Sequence, residues 1–217
     1  MNFWEERWQN GKTGWHNQAV NENLQKHHTI LFQQKTPTLF VPLCGKTLDM
    51  WWLHEQGAQI IGVDLVRKAL EDYCAEQSIE AIEENTEPNL FMLKGNDHTL
   101  IHGDIFDVTQ KEIGHVDGIF DRAALVALPL ELRQRYATHC LSVLKPGGKI
   151  LLITYDSPVE DDQGPPFPVR KGTIEALYSN ASSCTQIDEI TMTPENSPRL
   201  KQRGLAWSRS DIWEIIK

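Results

Sequence analysis

Apolar residues of this chain cluster in short runs separated by stretches of helical periodicity. Leu39, Phe40 and Val41 form the first run, followed by a turn at Cys44-Gly45-Lys46-Thr47. Residues 47–56 have helical character, and Gly57 stops them. Residues 59–63 are a second β-run that ends at Asp64, and a helix is predicted over residues 66–76. Runs at 90–93 and 100–106, with a turn at Gly95-Asn96-Asp97, suggest the next strand. Residues 116–121 read as strand four and 130–144 as an amphipathic helix. Lys145-Pro146-Gly147-Gly148 reads as a tight turn and 149–155 as strand five. Strands alternating with helices predict a doubly wound, mostly parallel α/β sheet. The tail departs from this, because 185–192 and 205–216 are β-like with no clear helix between them. They predict an antiparallel hairpin at one sheet edge. Residues 1–37 form an N-terminal extension with Trp4, Trp8 and Trp15, then a polar helical stretch over 21–34 that Pro37 closes. The expectation is one domain over 1–217, with 38–217 as its core.

The segment from Thr38 to Asp64 is a βαβ unit with chemistry attached. A tight turn after its first strand lets a ligand approach backbone N–H groups. An acid ending the second strand, about 20 residues on, can accept hydrogen bonds from a ribose. The turn lacks G-x-G-x-x-G. Lys46-Thr47 looks like the end of a P-loop, but Phe40 stands where that motif needs glycine, so a Walker site is excluded. One glycine leaves little backbone to cradle phosphates. It suffices for a cofactor with a ribose and no phosphate, such as S-adenosylmethionine. The plainer alternative is a crossover with a glycine helix cap.

Composition narrows the partners. The 217 residues suffice for a sizeable core. The net charge of −9, from 21 Lys+Arg against 30 Asp+Glu, disfavours a nucleic-acid binder. There is no apolar leader and no run of membrane-spanning length, so neither secretion nor a membrane is expected. Cys44, Cys74, Cys140 and Cys184 are scattered without a C-x-x-C pair. Free thiols in a reducing cytoplasm fit them better than disulfides or zinc. The eight histidines form no ligand pattern, and no metal is expected.

Six short pieces carry a family resemblance. They are Phe3-Trp4-Glu5-Glu6-Arg7-Trp8, Val41-Pro42-Leu43-Cys44-Gly45-Lys46, Gly62-Val63-Asp64, Gly103-Asp104-Ile105-Phe106, Phe120-Asp121-Arg122-Ala123-Ala124-Leu125 and Gly164-Pro165-Pro166-Phe167. In this order and spacing the chain resembles the bacterial branch of the thiopurine S-methyltransferase family over nearly its whole length. The resemblance implies a class I methyltransferase fold, S-adenosylmethionine as cofactor and S-adenosylhomocysteine as product. It implies methylation of aromatic or heterocyclic thiols, with selenium or tellurium compounds as further acceptors. A cytoplasmic monomer acting on a small molecule is expected.

The resemblance also implies roles. Trp8 covers the cofactor, and the N-terminal extension acts as a lid; an indole face suits a sulfonium cation. Leu43 makes its contact through the backbone, beside Gly45. Asp64 binds the ribose, where the family often has Glu; at a strand end it is expected to pack little. Asp104, Ile105 and Phe106 hold the adenine. Arg122 lies beside cofactor and substrate, as a partner for a carboxylate or a thiolate. Pro166 and Phe167 belong to a rigid loop beside the acceptor, and Arg199 falls near a second family arginine in a poorly matching stretch. The plain alternatives are indoles that merely anchor the extension, core packing for Ile105 and Phe106, and a structural Asp121–Arg122 pair.

Sulfonium methyl transfer is an in-line displacement with a good leaving group. A thiol of low pKa needs no dedicated base, so alignment and water exclusion carry the catalysis. A nicotinamide dehydrogenase would need a glycine-rich phosphate loop, which is missing. A non-catalytic cofactor-binding module would retain Asp64 with a blocked acceptor pocket.

Overall fold

The computed structural model describes residues 3–87, 90–160 and 164–217. The chain divides into two compact units, Met1–Phe120 and Asp121–Lys217. The first two residues of the N-terminal extension lie outside the described residues.

The first unit opens with α1 (Phe3–Gln9), α2 (Glu22–His27) and a 3-10 turn. It continues with β1 (Thr38–Pro42), α3 (Leu48–Glu55), β2 (Gln59–Asp64), α4 (Arg67–Glu76), β3 (Ile82–Glu87), β4 (Leu90–Gly95) and β5 (His98–His102). A second 3-10 turn (Ile105–Asp107) and α5 (Gln110–Ile113) lead to β6 (Val116–Asp121). The strand order is β3-β4-β5-β2-β1-β6. The pairs β5–β2, β2–β1 and β1–β6 are parallel, whereas β3–β4 and β4–β5 are antiparallel. Leu39, Phe40, Ile60, Val63, Leu100 and Ile101 are buried, as unbroken apolar runs in central parallel strands should be. Gly62 marks a close approach at the centre of the sheet. A Cβ there would lie 2.9 Å from Cys44 Sγ and 3.0 Å from both Leu100 Cδ2 and Met50 Sδ. Helix α4 buries Ala69, Leu70, Tyr73 and Cys74 on one stripe and keeps the Arg67–Glu71 and Lys68–Asp72 pairs on the opposite face.

The second unit holds α6 (Ala124–Ala127), α7 (Leu130–Val143), β7 (Leu144–Asp156), α8 (Lys171–Leu177), β8 (Ser183–Met192), α9 (Pro198–Arg203) and β9 (Ser208–Ile216). Its strands lie in the order β7-β9-β8, all antiparallel.

Three local expectations change. The Lys145–Gly148 stretch, expected as a tight turn, lies inside β7. The chain end draws it into pairing: Gly147 N–H donates to Lys217 O at 3.2 Å and Lys217 N–H to Gly148 O at 3.0 Å. A helix, α9, does separate the two tail strands, with Pro198 at its start and Gly204 at φ 65° closing it. Strand β3 was not foreseen, because Glu83 and Glu84 obscure any apolar run at this exposed edge. Among the described residues no helix is long and apolar enough to cross a membrane.

Candidate functional site

The turn after β1 is shaped by backbone geometry. Leu43 and Gly45 have φ of 47° and 54°, and both therefore occupy the left-handed region. For leucine that conformation is strained and persists only where the surroundings enforce it. The enforcement is visible. Cys44 N–H donates to Val63 O at 2.9 Å, and Gly45 N–H donates to Asp64 Oδ2 at 2.7 Å. Thr47 then caps α3 by accepting from Asp49 N–H. The other oxygen of Asp64, Oδ1, accepts from Val66 N–H at 2.8 Å ahead of α4.

Asp64 is thus a pin between two loops rather than the loosely packed strand end that sequence predicts. Burial pushes its carboxyl up to about 6, although both N–H bonds pull the other way. The same burial, with Asp64 close by, pushes the Cys44 thiol up.

Trp8 joins this turn. Its side chain is 6 % exposed and packs with Val66 and Ala69, the partly buried Trp4 and Trp15 lying against them. The Trp4 and Trp15 rings meet edge-on at 5.2 Å, and Trp8 meets Trp15 at 6.3 Å. A Cβ built on Gly45 would lie 3.2 Å from Trp8 Cζ2, so the indole rests on the glycine. Gly45→Ala is therefore expected to cost about 1–2 kcal/mol, from the left-handed backbone and the displaced ring. Thermal melts and tryptophan emission measure it, and an unchanged melt with unchanged emission contradicts the contact.

The structure brings Trp8, Leu43, Gly45 and Asp64 together. A third loop is tied to them, since Gly103 N–H donates to Asp64 O at 3.1 Å. Beyond it, Asp104 Oδ1 accepts from Phe106 N–H at 2.9 Å and caps the 3-10 turn. Asp104 is exposed, Ile105 buried and Phe106 partly exposed, so one of these three side chains is core and two border solvent.

In the second unit, Asp121 is buried and serves the backbone. It accepts from Ala124 N–H at 2.9 Å, Leu125 N–H at 3.3 Å and Tyr136 Oη–H at 2.7 Å. Burial raises its carboxyl to about 6 against these bonds. Its neighbour Arg122 is partly exposed. Phe167 N–H donates to Val126 O at 2.7 Å, which brings the Pro166–Phe167 loop to the segment that follows Arg122. Arg199 lies exposed on α9. Sequence reasoning missed Arg133 and Tyr136 on α7, whose buried face is Arg133, Tyr136, Ala137, Cys140 and Val143. The signal was present: an arginine in register with an apolar helical stripe. Among the described residues no group of three or more His, Cys, Asp or Glu is placed to hold a metal.

Comparison with known proteins identifies the family. The model of the family described as Thiopurine S-methyltransferase (TPMT) matches residues 1–217. A thiopurine S-methyltransferase of Bordetella petrii is 40% identical over 203 residues, covering 94% of this chain and 92% of that one. One from Marinobacter nauticus is 38% identical over 216 residues, covering 99% and 98%. Among solved structures, a Burkholderia thailandensis 1,6-didemethyltoxoflavin-N1-methyltransferase with bound 1,6-didemethyltoxoflavin and S-adenosylhomocysteine aligns with a TM-score of 0.62 at 15% identity, over 98% of this chain and 84% of that one. The cyclopropane synthase MmaA2 of Mycobacterium tuberculosis aligns with a TM-score of 0.61 at 12% identity, over 94% and 88%. The fold is that of class I methyltransferases, a mostly parallel α/β sheet with antiparallel C-terminal strands, and the chain belongs to the thiopurine S-methyltransferase family of S-adenosylmethionine-dependent enzymes.

Proposed function

We propose that this chain methylates the sulfur of aromatic and heterocyclic thiols, thiopurines among them, and that soft selenium or tellurium anions are further acceptors. The observation that carries the reading is the pinned carboxylate of Asp64, with Gly45 and Trp8 beside it. The residues fit the cofactor on physical grounds. Each Asp64 oxygen spends one lone pair on a backbone N–H and keeps another for a hydroxyl, so a vicinal diol meets an acceptor already fixed in place. The single-glycine turn suits a ligand without phosphate. S-adenosylmethionine supplies an electrophilic methyl group when bound.

This chain's residues do the rest. Asp64 orients the ribose, Leu43 and Gly45 offer backbone, and Asp104, Ile105 and Phe106 border the adenine. Trp8 and the extension over residues 1–37 cover the cofactor, and residues 38–217 form the catalytic core of a single domain. Arg122 stabilises a thiolate. Pro166 and Phe167 wall the acceptor, with Arg199 as a second cation. The displacement asks for neither a metal nor a general base. The acidic balance of the chain suits a small-molecule acceptor better than nucleic acid.

Calorimetry tests this reading. S-adenosylhomocysteine is expected to bind one site per chain and NAD to give no heat; tight NAD binding without adenosyl binding contradicts it. The pH dependence carries a sign. Asp64 sits at about 6 in the folded chain, above the ordinary 3.8. Its contribution to folding stability is therefore full below about pH 4 and is lost as pH rises through about 6. Diol hydroxyls donate to the ionised form, so binding pulls the pKa back down. Affinity is then expected to fall as pH drops through about 6, with a fraction of a proton released near that pH. Titrations in buffers of different ionisation enthalpy read that proton, and proton uptake contradicts the assignment.

A further inference from the structure

Helix α7 carries a charge into the core of the second unit. Arg133 is 1 % exposed and lies on the same stripe as Tyr136, Ala137, Cys140 and Val143. Buried arginines are ordinarily paired with carboxylates. This one is not: among the described residues its partners are two carbonyls. Nε donates to Leu128 O at 3.0 Å and Nη1 to Pro168 O at 3.2 Å, while Nη2 is buried with no hydrogen-bond partner. The Phe167 ring lies 5.8 Å from the guanidinium carbon. Glu131, the carboxylate whose field reaches Arg133, is itself exposed. Burial lowers the Arg133 pKa, which is how a charge stripped of its hydration behaves, yet a guanidinium stays protonated across the physiological range.

The two carbonyls identify what is held. Leu128 closes the segment that begins at Arg122, and Pro168 follows Pro166 and Phe167. One guanidinium therefore clamps both segments that the proposed function assigns to the acceptor, and the Phe167–Val126 hydrogen bond locks them a second time.

We propose that Arg133 is a positioning and specificity-determining residue: it fixes the two acceptor segments to each other, and its charge, which no carboxylate among the described residues pairs, selects acceptors that bind as anions, aryl thiolates above all. This rests on the reading of Pro166 and Phe167 as the acceptor wall. A positive charge in a low-dielectric interior acts over a longer range than one in water. A thiol bound within its field gives up its proton to solvent at a lower pH and keeps the lone pair on sulfur. That makes a nucleophile without a general base. It also predicts that thiols too basic to ionise in solution become acceptors, while neutral acceptors of the same shape gain nothing.

The probe is 6-mercaptopurine, whose near-ultraviolet band moves when the thiol ionises above neutral pH, titrated from about pH 5 to about pH 9 on the full chain with excess S-adenosylhomocysteine. Wild type is expected to lower the thiol pKa by about one unit. Arg133→Gln keeps N–H donors for the carbonyls and drops the charge, and is expected to return the bound pKa to the free value. Arg133→Lys is expected to keep it lowered. In turnover with thiols of graded acidity, Arg133→Gln is expected to lose about tenfold in kcat/KM for the weakly acidic members and little for those already ionised. A purely structural arginine lowers all members alike. An unshifted bound pKa in wild type overturns the inference without any variant having to fold, and so does an equal shift in wild type and Arg133→Gln. Wild type that neither binds nor methylates any thiol overturns the proposed function and this inference with it. Methylation with an unshifted bound pKa overturns this inference alone.

Discussion

Trp8→Ala is expected to lower the stability of the folded chain by about 3–5 kcal/mol, the usual cost of truncating a buried tryptophan, before any cofactor is added. The indole is 6 % exposed and wedged against Val66 and Ala69, with Trp4 and Trp15 packed on the cluster. Losing it removes contacts from three directions and leaves a void that the rigid start of α4 cannot fill. For a chain of this length the melting temperature should fall on the order of 10 °C. Cofactor affinity should fall too, because the ring rests on Gly45. A swinging lid forecasts something different: a melting temperature nearly unchanged, with the loss confined to Kd and turnover. The packing argues for a cover held shut by its own contacts. Apo melts of the variant separate the two, and a transition within about 1 °C of wild type would assign the arm as a lid.

Asp64→Ala is expected to act twice. Removing a charged acceptor from a ribose should weaken cofactor binding by about 1–3 kcal/mol, roughly 5- to 150-fold in Kd. It also leaves Gly45 N–H and Val66 N–H without their partner, which should cost a further 1–3 kcal/mol or so of stability. Asp64→Asn separates these effects. Its one carbonyl oxygen can keep one of the two loops, so stability should be partly restored while affinity stays low. A variant that loses stability but binds S-adenosylhomocysteine like wild type would show Asp64 to be a pin and nothing more.

Legibility followed burial. Strand β6 covers residues 116–121 as read, and α3, β2, α4 and α7 fall within two residues of their expected bounds, because their cores are unbroken apolar runs or stripes that only one element can bury. Strand β3 was hidden for the opposite reason: a polar edge strand is held by backbone pairing with β4, which no side-chain period announces. The Lys145–Gly148 stretch misled because Pro-Gly-Gly is turn chemistry, whereas its pairing partner, Lys217, lies at the far end of the chain. Local propensity is silent about such a contact.

The site divides in the same way. The spacing of Gly45 and Asp64 was readable, since a βαβ unit places both at the carboxyl ends of adjacent strands. That the two are hydrogen-bonded to each other was not, and neither was Asp121's service to Ala124, Leu125 and Tyr136. Asp64 looked like a ligand in waiting and Asp121 like half of a structural pair with Arg122, and both hold backbone. Arg133 was visible as a charge out of place on an apolar stripe. That it would grip a carbonyl 35 positions downstream, at Pro168, was not.

The most direct test is methyl transfer from radiolabelled S-adenosylmethionine to a panel of aryl and heterocyclic thiols, with selenite, tellurite and matched phenols alongside. Label is expected on sulfur, with faster turnover for the more acidic thiols and none on the phenols. Label on oxygen or nitrogen in preference to sulfur, or no transfer to any thiol by a chain that binds S-adenosylhomocysteine, would contradict it.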